Sequence, residues 1–472
     1  MQLHDDVFFL VGSLHSRLFA IVRIIASDVA DLARFKMCFH NLHLSMGSMC
    51  SGANMIRVAQ RIFRDAAKSE AGVDYDTDWK WSADIKSDSW TFMQISGETK
   101  VFQNATGLSS GRGRTWPAGV DRIVEPVKVV WNGVTCGPLS SKSKHHGKNV
   151  RNAGDGTSTQ ETMDAMVSFA GSPNFNGTLE MALVENIKNF VGFRGCLRSC
   201  HGDLNQRMLT CKPVGFQGVH NLFDSQESGT PQTRKRVHLA YMKTTNPIDE
   251  ERYLHYLAKF KFQTVPLEEL LDDPDTVSHD YWLSQPCVSR PRPCGDEDKT
   301  LKEVCGLKGV QYPPDLEQPL WQLLRLPQDC IFRGCSRLTA REKKVLFVSL
   351  NVLNAAAEFP PEAVLSTAVN DSWNLFYWRH NRVPTLDSQS RIMLLFKRVS
   401  SPWVFRAMTV NEGYRIQSKP LAEVLSPYQY VQMSRALPMS KMNDLLGQSF
   451  DEATMMTHFI ASVMSADRRL DA

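Results

Sequence analysis

The chain has 472 residues, 42% hydrophobic and 22% charged. That is the composition of a globular protein long enough to bury a large core, in about two domains. A net charge of +4 rules out reading polyanion affinity from the total, so any such affinity must come from local clustering. Eleven cysteines, an odd count, argue against a disulfide framework and for a reducing interior, nucleus or cytoplasm.

In chain order, Val7-Phe-Phe-Leu-Val-Gly12 is apolar, but Asp5 and Asp6 precede it and His15, Arg17 and Arg23 interrupt the stretch after it. The run is too broken for a membrane span, and its acidic start is unlike a secretory or transit peptide. An amphipathic helix packed on the domain is expected in this N-terminal extension, residues 1–36. From 37 to 245, strand-like and helix-like segments alternate, which predicts an α/β fold with a mostly parallel sheet. Phe39–Met49 reads as the first strand, entering a turn at Cys50-Ser51-Gly52-Ala53-Asn54. A helix comes next, with Ile56, Ala59, Ile62 and Phe63 on one face. Trp79–Ala83, ending at Asp84, is the second expected strand and Lys100–Gln103 the third. Val127–Trp131 and Met181–Val184 are the fourth and fifth, and Arg207–Cys211 with Val237–Met242 the closing pair. Residues 246–424 lose the strand–helix rhythm and are rich in Pro and Asp over 264–300, so a second, irregular domain is expected there. Residues 425–472 return to helical patterning around Gly447-Gln448-Ser449-Phe450.

Three signals carry chemistry. Gly133-Val-Thr135-Cys136-Gly-Pro-Leu139-Ser140 lies just past the fourth strand, and Glu185-Asn186-Ile187 ends the fifth. A thiol and an acid at the carboxyl ends of neighbouring strands lie where an open α/β sheet places its chemistry. Gly229-Thr-Pro231-Gln232-Thr-Arg234-Lys-Arg236 comes third, and its two arginines, two residues apart, share one face of a strand. Alone, Cys136 reads as a buried inert thiol, Glu185 as a helix-end charge and the arginines as a solvated basic edge.

Taken in this order and spacing, the three signals resemble the cytosine-5 methyltransferases of nucleic acids, over residues about 40–245 and 420–465. The resemblance implies a Rossmann-like methyltransferase sheet with helices on both faces and a smaller target-recognition domain at 246–424. It implies the cofactor S-adenosyl-L-methionine and a DNA substrate. An RNA (tRNA) substrate and a degenerate homologue that binds without turnover remain the alternatives. Cys136 would add to C6 of the pyrimidine, where a thiolate is a competent nucleophile and leaving group. Glu185 would stabilise N3, and Arg234 and Arg236 would position the base. The cofactor would contact Cys50, Ser51, Gly52, Ala53 and Asn54 over the first turn, then Asp84, Ile85, Asn104, Gln448 and Ser449. The sequence departs from the family pattern at Thr135, where Pro is usual, and at Asn54 and Asn104. The acid-free run Ser140–Arg151, with Lys142, Lys144, Lys148, Arg151, His145 and His146, is expected to clamp phosphates over a flipped nucleotide beside Gln232. Cys196, Cys200, His201 and Cys211 lack the spacing of a closed zinc site, so no metal is expected. No membrane partner is expected, and the oligomeric state stays open.

Overall fold

The computed structural model describes residues 13–50, 52, 55–98, 100–133, 159–187, 212–273, 302–303, 305–307, 309, 330–333, 338, 340–355, 364–368, 379–386, 392–397, 402–419, 421 and 425–470. Two helices come first, α1 (Leu14–Ala26) and α2 (Val29–Phe39). A capping box between Ser13 and Ser16 starts α1, and the Asp28 carboxylate accepts from Ala30 and Asp31 N–H to start α2. The expected first strand is shorter than its apolar run. Phe39 still belongs to α2, and Asn41 in the left-handed region (φ 56°) turns the chain into β1 (Leu42–Met49). Next come α3 (Ile56–Ala71), β2 (Tyr75–Ala83), α4 (Ser87–Ile95), β3 (Val101–Phe102), β4 (Arg112–Trp116), β5 (Asp121–Ile123) and β6 (Val129–Gly133). After them lie α5 (Thr159–Gly171), β7 (Met181–Ile187), β8 (Phe216–Asp224), β9 (Lys235–Lys243) and α6 (Glu250–Lys259).

The nine strands form one sheet in the order β5-β4-β3-β2-β1-β6-β7-β9-β8. Strands β3, β2, β1, β6 and β7 run parallel. Hairpins β4–β5 and β8–β9 add antiparallel strands at the two edges. From β1 the chain winds outward to β3, then returns to β6 and winds the other way. The crevice between the carboxyl ends of β1 and β6 is therefore the topological switch point, where such sheets bind ligands.

Alternation along the strands builds two cores. Leu44, Met46, Val129, Trp131, Met181, Leu183, Ala240 and Met242 pack against α1, α2, α3 and α6 on one face. Val130, Ala182, Val184, Val237, Leu239 and Tyr241 meet Met163, Met166 and Phe169 of α5 on the other. The chain thus has the α/β Rossmann-like sheet with helices on both faces.

Val237–Met242 lies in β9, which pairs with β7 on one edge and β8 on the other, and Arg207–Cys211, the other half of the expected closing pair, lies outside the described residues. The β4–β5 hairpin has no apolar alternation to announce it, since its strand residues are mostly Arg, Gly and Asp on an exposed edge.

Within 331–407 a second, five-stranded sheet has the order β10-β14-β13-β11-β12, made of β10 (Ile331–Arg333), β11 (Leu365–Ala368), β12 (Arg379–His380), β13 (Ile392–Lys397) and β14 (Trp403–Ala407). Helix α7 (Ala340–Ala355) lies between β10 and β11 in sequence, and α8 (Val410–Ile416) comes after β14. The chain ends in α9 (Pro427–Ala436), α10 (Met439–Gln448) and α11 (Glu452–Ser465). All fourteen residues of α11 are buried, in the core beneath the large sheet. A helix that is largely apolar all round can only be stable inside. Among the described residues no helix is long and apolar enough to cross a membrane.

Candidate functional site

Four strand ends meet at the switch point. At the end of β1, Cys50 takes a left-handed conformation (φ 53°) and donates its N–H to Ala83 O at 2.8 Å. Its carbonyl runs so close to β6 that a Cβ on Gly133 would sit 2.3 Å from Cys50 O, so only glycine fits there. Gly52 (φ 61°) faces the other way, and a Cβ on it would meet the Gln448 backbone at 3.2 Å. The first turn is thus wedged between β6 and the segment after α10.

Asp84, at the tip of β2, spends its carboxylate on the backbone. Oδ2 accepts from Gly52 N and Oδ1 from Lys86 N, each at 3.0 Å. Burial raises its pKa, and those two N–H donors oppose the rise. Ile85 N–H is a third backbone donor to this carboxylate, so one of its four lone pairs stays open to a donor from the crevice. Ile85 beside it is half-buried, and Trp90 donates its indole N–H to Asp84 O at 2.6 Å. Asn104, exposed beyond β3, uses Oδ1 to accept from Thr106 N and Oγ1 at 2.9 and 3.0 Å. Gln448 Oε1 accepts from Lys86 Nζ at 2.6 Å, and Ser449 is fully buried.

On the other side of the switch point, Glu185 of β7 lies directly across from Gly133 of β6. Arg236 Nε is 2.8 Å from Glu185 Oε1, and Arg234 Nη2 is 3.7 Å from the same oxygen. The two guanidiniums do different things. Arg234, its side chain 3% exposed, donates from Nη2 to Ser449 O at 2.7 Å and from Nη1 to Leu386 O at 3.4 Å. It ties the start of β9 to the segment after α10 and to the chain before β13. Arg236 is slightly more open and gives its Nε edge to Glu185. The preceding residues are pinned as well. Val383 N donates to Pro231 O at 2.7 Å and Thr233 N to Val383 O at 3.0 Å. Gln232 is buried there, and its amide atoms have no partner among the described residues. Below Glu185, His238 of β9 stacks on His458 of α11 with ring centroids 4.0 Å apart, and His458 Nδ1 is 2.7 Å from the Tyr253 hydroxyl. Burial lowers both imidazole pKa values, His458 to about 3.

The structure therefore brings Glu185, Arg234 and Arg236 together, and separately Cys50, Gly52, Asp84, Gln448 and Ser449. Asn104 lies just past β3, two strands along the sheet from β1. Cys136, with Thr135, and Ser51, Ala53 and Asn54 lie outside the described residues. So do Lys142, Lys144, His145, His146, Lys148 and Arg151, and Cys196, Cys200, His201 and Cys211. Among the described residues no group of His, Cys, Asp and Glu could hold a metal. Sequence reasoning passed over Lys419, Asp451 and Glu452, which are buried beside this site. The one local signal was Asp451 ahead of an apolar run, the mark of a helix N-cap, and it does cap α11 by accepting from Thr454 N at 3.0 Å.

No family model matches the chain, and no curated protein matches it. Among solved structures it is similar to a Dnmt2 methyltransferase of S. pombe, with TM-score 0.40 and 10% identity over 89% of this chain and 98% of that one. It is also similar to a DNMT2 mutant of Spodoptera frugiperda, with TM-score 0.42 and 13% identity over 89% and 99%. A third similar structure is the methyltransferase EhMeth of Entamoeba histolytica, with TM-score 0.44 and 10% identity over 90% and 98%.

Proposed function

We propose that this chain is an S-adenosylmethionine-dependent methyltransferase acting on C5 of cytosine in nucleic acid, with DNA as the substrate and RNA as the alternative. The observation that carries the reading is the cluster at the carboxyl end of β7. Glu185 stands across from Gly133 and is held by Arg236 at 2.8 Å, and Gly133 is three residues before Cys136 in sequence. A carboxyl group locked beside the strand that leads to a thiol is what addition to a pyrimidine ring needs.

Two residues of the crevice support the cofactor reading: Asp84 keeps one lone pair for a ribose hydroxyl, and Asn104 has an amide that can donate to an adenine ring. When bound, S-adenosylmethionine supplies an electrophilic methyl group. The chain's own residues prepare the ring to receive it. The Cys136 thiolate adds to C6, and Glu185 donates a proton or a hydrogen bond at N3 as charge builds there. Arg236 orients Glu185 and reaches the base carbonyl. Loss of the C5 proton to a base then releases the thiolate.

The test is incubation with tritiated cofactor and DNA or RNA in parallel. Transfer to DNA that disappears in Cys136→Ala, with a covalent adduct to 5-fluorocytosine substrate in the wild type, supports the proposal. Transfer at the wild-type rate by Cys136→Ala refutes the mechanism. Cofactor binding without transfer to either nucleic acid makes the chain a degenerate binder.

A further inference from the structure

Helix α3 begins directly after the first turn, and its N-cap residue, Met55, makes no side-chain cap. A helix start without a side-chain cap takes acceptors from elsewhere. One of them comes from the far end of the chain. Met55 N donates to Glu452 Oε1 at 3.2 Å, across 397 residues. Glu452 is itself the first residue of α11, so the amino ends of two helices converge on one carboxylate, the charge both dipoles favour. Its other oxygen is 2.7 Å from Lys419 Nζ, and both side chains are fully buried.

Lys419 is held in turn. It comes after Ser418, which is left-handed at φ 60°, and Ser418 Oγ accepts from the guanidinium of the buried Arg17 of α1. Arg17 also reaches Gly229 O at 3.4 Å, at the start of the Gly229–Arg236 motif. Burial pushes the Glu452 carboxyl up to about 7 against the pull of Lys419, and lowers the Lys419 ammonium.

We propose that Glu452, held by Lys419, is a positioning residue that fixes Met55 and the first turn of α3, and with them the side of the cofactor crevice where Gly52 meets the segment after α10. The cofactor role of that crevice rests on the methyltransferase reading; the mechanical role of Glu452 does not. Glu452 touches neither substrate nor cofactor. Its loss therefore loosens the turn and weakens cofactor binding without altering the chemistry.

Removing Glu452 alone would strand a buried ammonium, so the main variant is Lys419→Met/Glu452→Leu, which replaces the pair by apolar side chains of similar size. The expected result is a KM for S-adenosylmethionine raised about tenfold, the equivalent of a helix cap. The kcat at saturating cofactor and the KM for DNA should be unchanged. Amide exchange at residues 55–58 should quicken about tenfold, with α11 and β9 unaffected. Lys419→Met/Glu452→Gln keeps an acceptor for Met55 N–H without stranding the ammonium and should restore most of the affinity. Should the double variants lose their fold, Glu452→Asp retains the charge but draws the acceptor back by one methylene, and the same two readouts apply to it. Unchanged KM and unchanged exchange at 55–58 would overturn the proposal and leave the pair as a core ion pair only. If the wild type neither binds S-adenosylhomocysteine nor transfers methyl groups, the methyltransferase reading falls, and exchange at 55–58 alone decides the inference.

Discussion

Arg234 and Arg236 are two residues apart on one strand face, yet the structure gives them different work, and paired substitutions test this. Arg234→Met keeps most of the aliphatic stem and removes the guanidinium. It leaves Ser449 O, which accepts from Nη2 at 2.7 Å, without that donor, and cuts the weaker link to Leu386 O at 3.4 Å. A hydrogen bond from a charged donor is worth about 1.5–3 kcal/mol. With the arginine side chain only 3% exposed, solvent replaces little of it. The expected destabilisation is about 2–4 kcal/mol, with faster amide exchange around 449–452. Arg236→Met removes the 2.8 Å contact to Glu185 and leaves that buried carboxylate with Arg234 at 3.7 Å, so it should also cost stability, about 3 kcal/mol, without quickening exchange at 449–452. It should in addition slow methyl transfer roughly 100-fold, the usual worth of a positioned acid. Urea unfolding monitored by tryptophan fluorescence gives both costs, and amide exchange alongside transfer of tritiated methyl groups separates the two. If exchange at 449–452 quickens in Arg236→Met and not in Arg234→Met, the assignment of clamp and catalytic partner is reversed.

Further predictions concern cofactor, substrate and pH. Asp84→Ala should cut the stabilisation conferred by S-adenosylhomocysteine, read as a smaller melting shift, by about 1–2 kcal/mol, and an equal shift would remove Asp84 from the cofactor site. Replacing Lys142, Lys144 and Lys148 with Ala should reduce the salt slope of DNA binding by about 2–3 units and leave cofactor affinity unchanged; an unaltered slope would make the run a solvated loop. The buried Glu98 carboxyl, 3.3 Å from the Trp79 indole N–H, is pushed by desolvation up to about 7. The native state therefore holds a proton that the unfolded chain releases near 4.5. The contribution of Glu98 is fully present below about pH 4.5 and is lost as pH rises to about 7. His238 and His458, held neutral, change stability the opposite way in the same range. The clean measurement is thus the difference between wild type and Glu98→Gln, which should shift by about 3 kcal/mol in favour of the variant between about pH 4.5 and 7.5. A flat difference would show that the carboxyl titrates normally.

What the sequence determines by itself is what depends on near neighbours. Continuous apolar runs at Val129–Trp131 and Met181–Val184 mark two central strands, because a parallel strand covered by helices on both faces buries every side chain. The i, i+2 spacing of Arg234 and Arg236 puts them on one face because side chains alternate along a strand. Gly133 and Gly52 stand out as glycines at strand ends, although the clash each avoids, with Cys50 O and with the Gln448 backbone, comes from segments brought there by folding. The partner of β9 obeys no local rule. Register and edge occupancy select β8, since backbone hydrogen bonds must be satisfied along both edges of an interior strand. Which guanidinium grips the carbonyl of Ser449 and which the carboxylate of Glu185 is likewise set by packing, because the two side chains are chemically identical and differ only in what surrounds them. The cap of α3 is the extreme case. Its acceptor lies 397 residues away, and nothing near Met55 in sequence records it. Only the burial of α11 beneath the sheet brings that carboxylate to the amino end of α3, where a helix dipole and a buried lysine hold it.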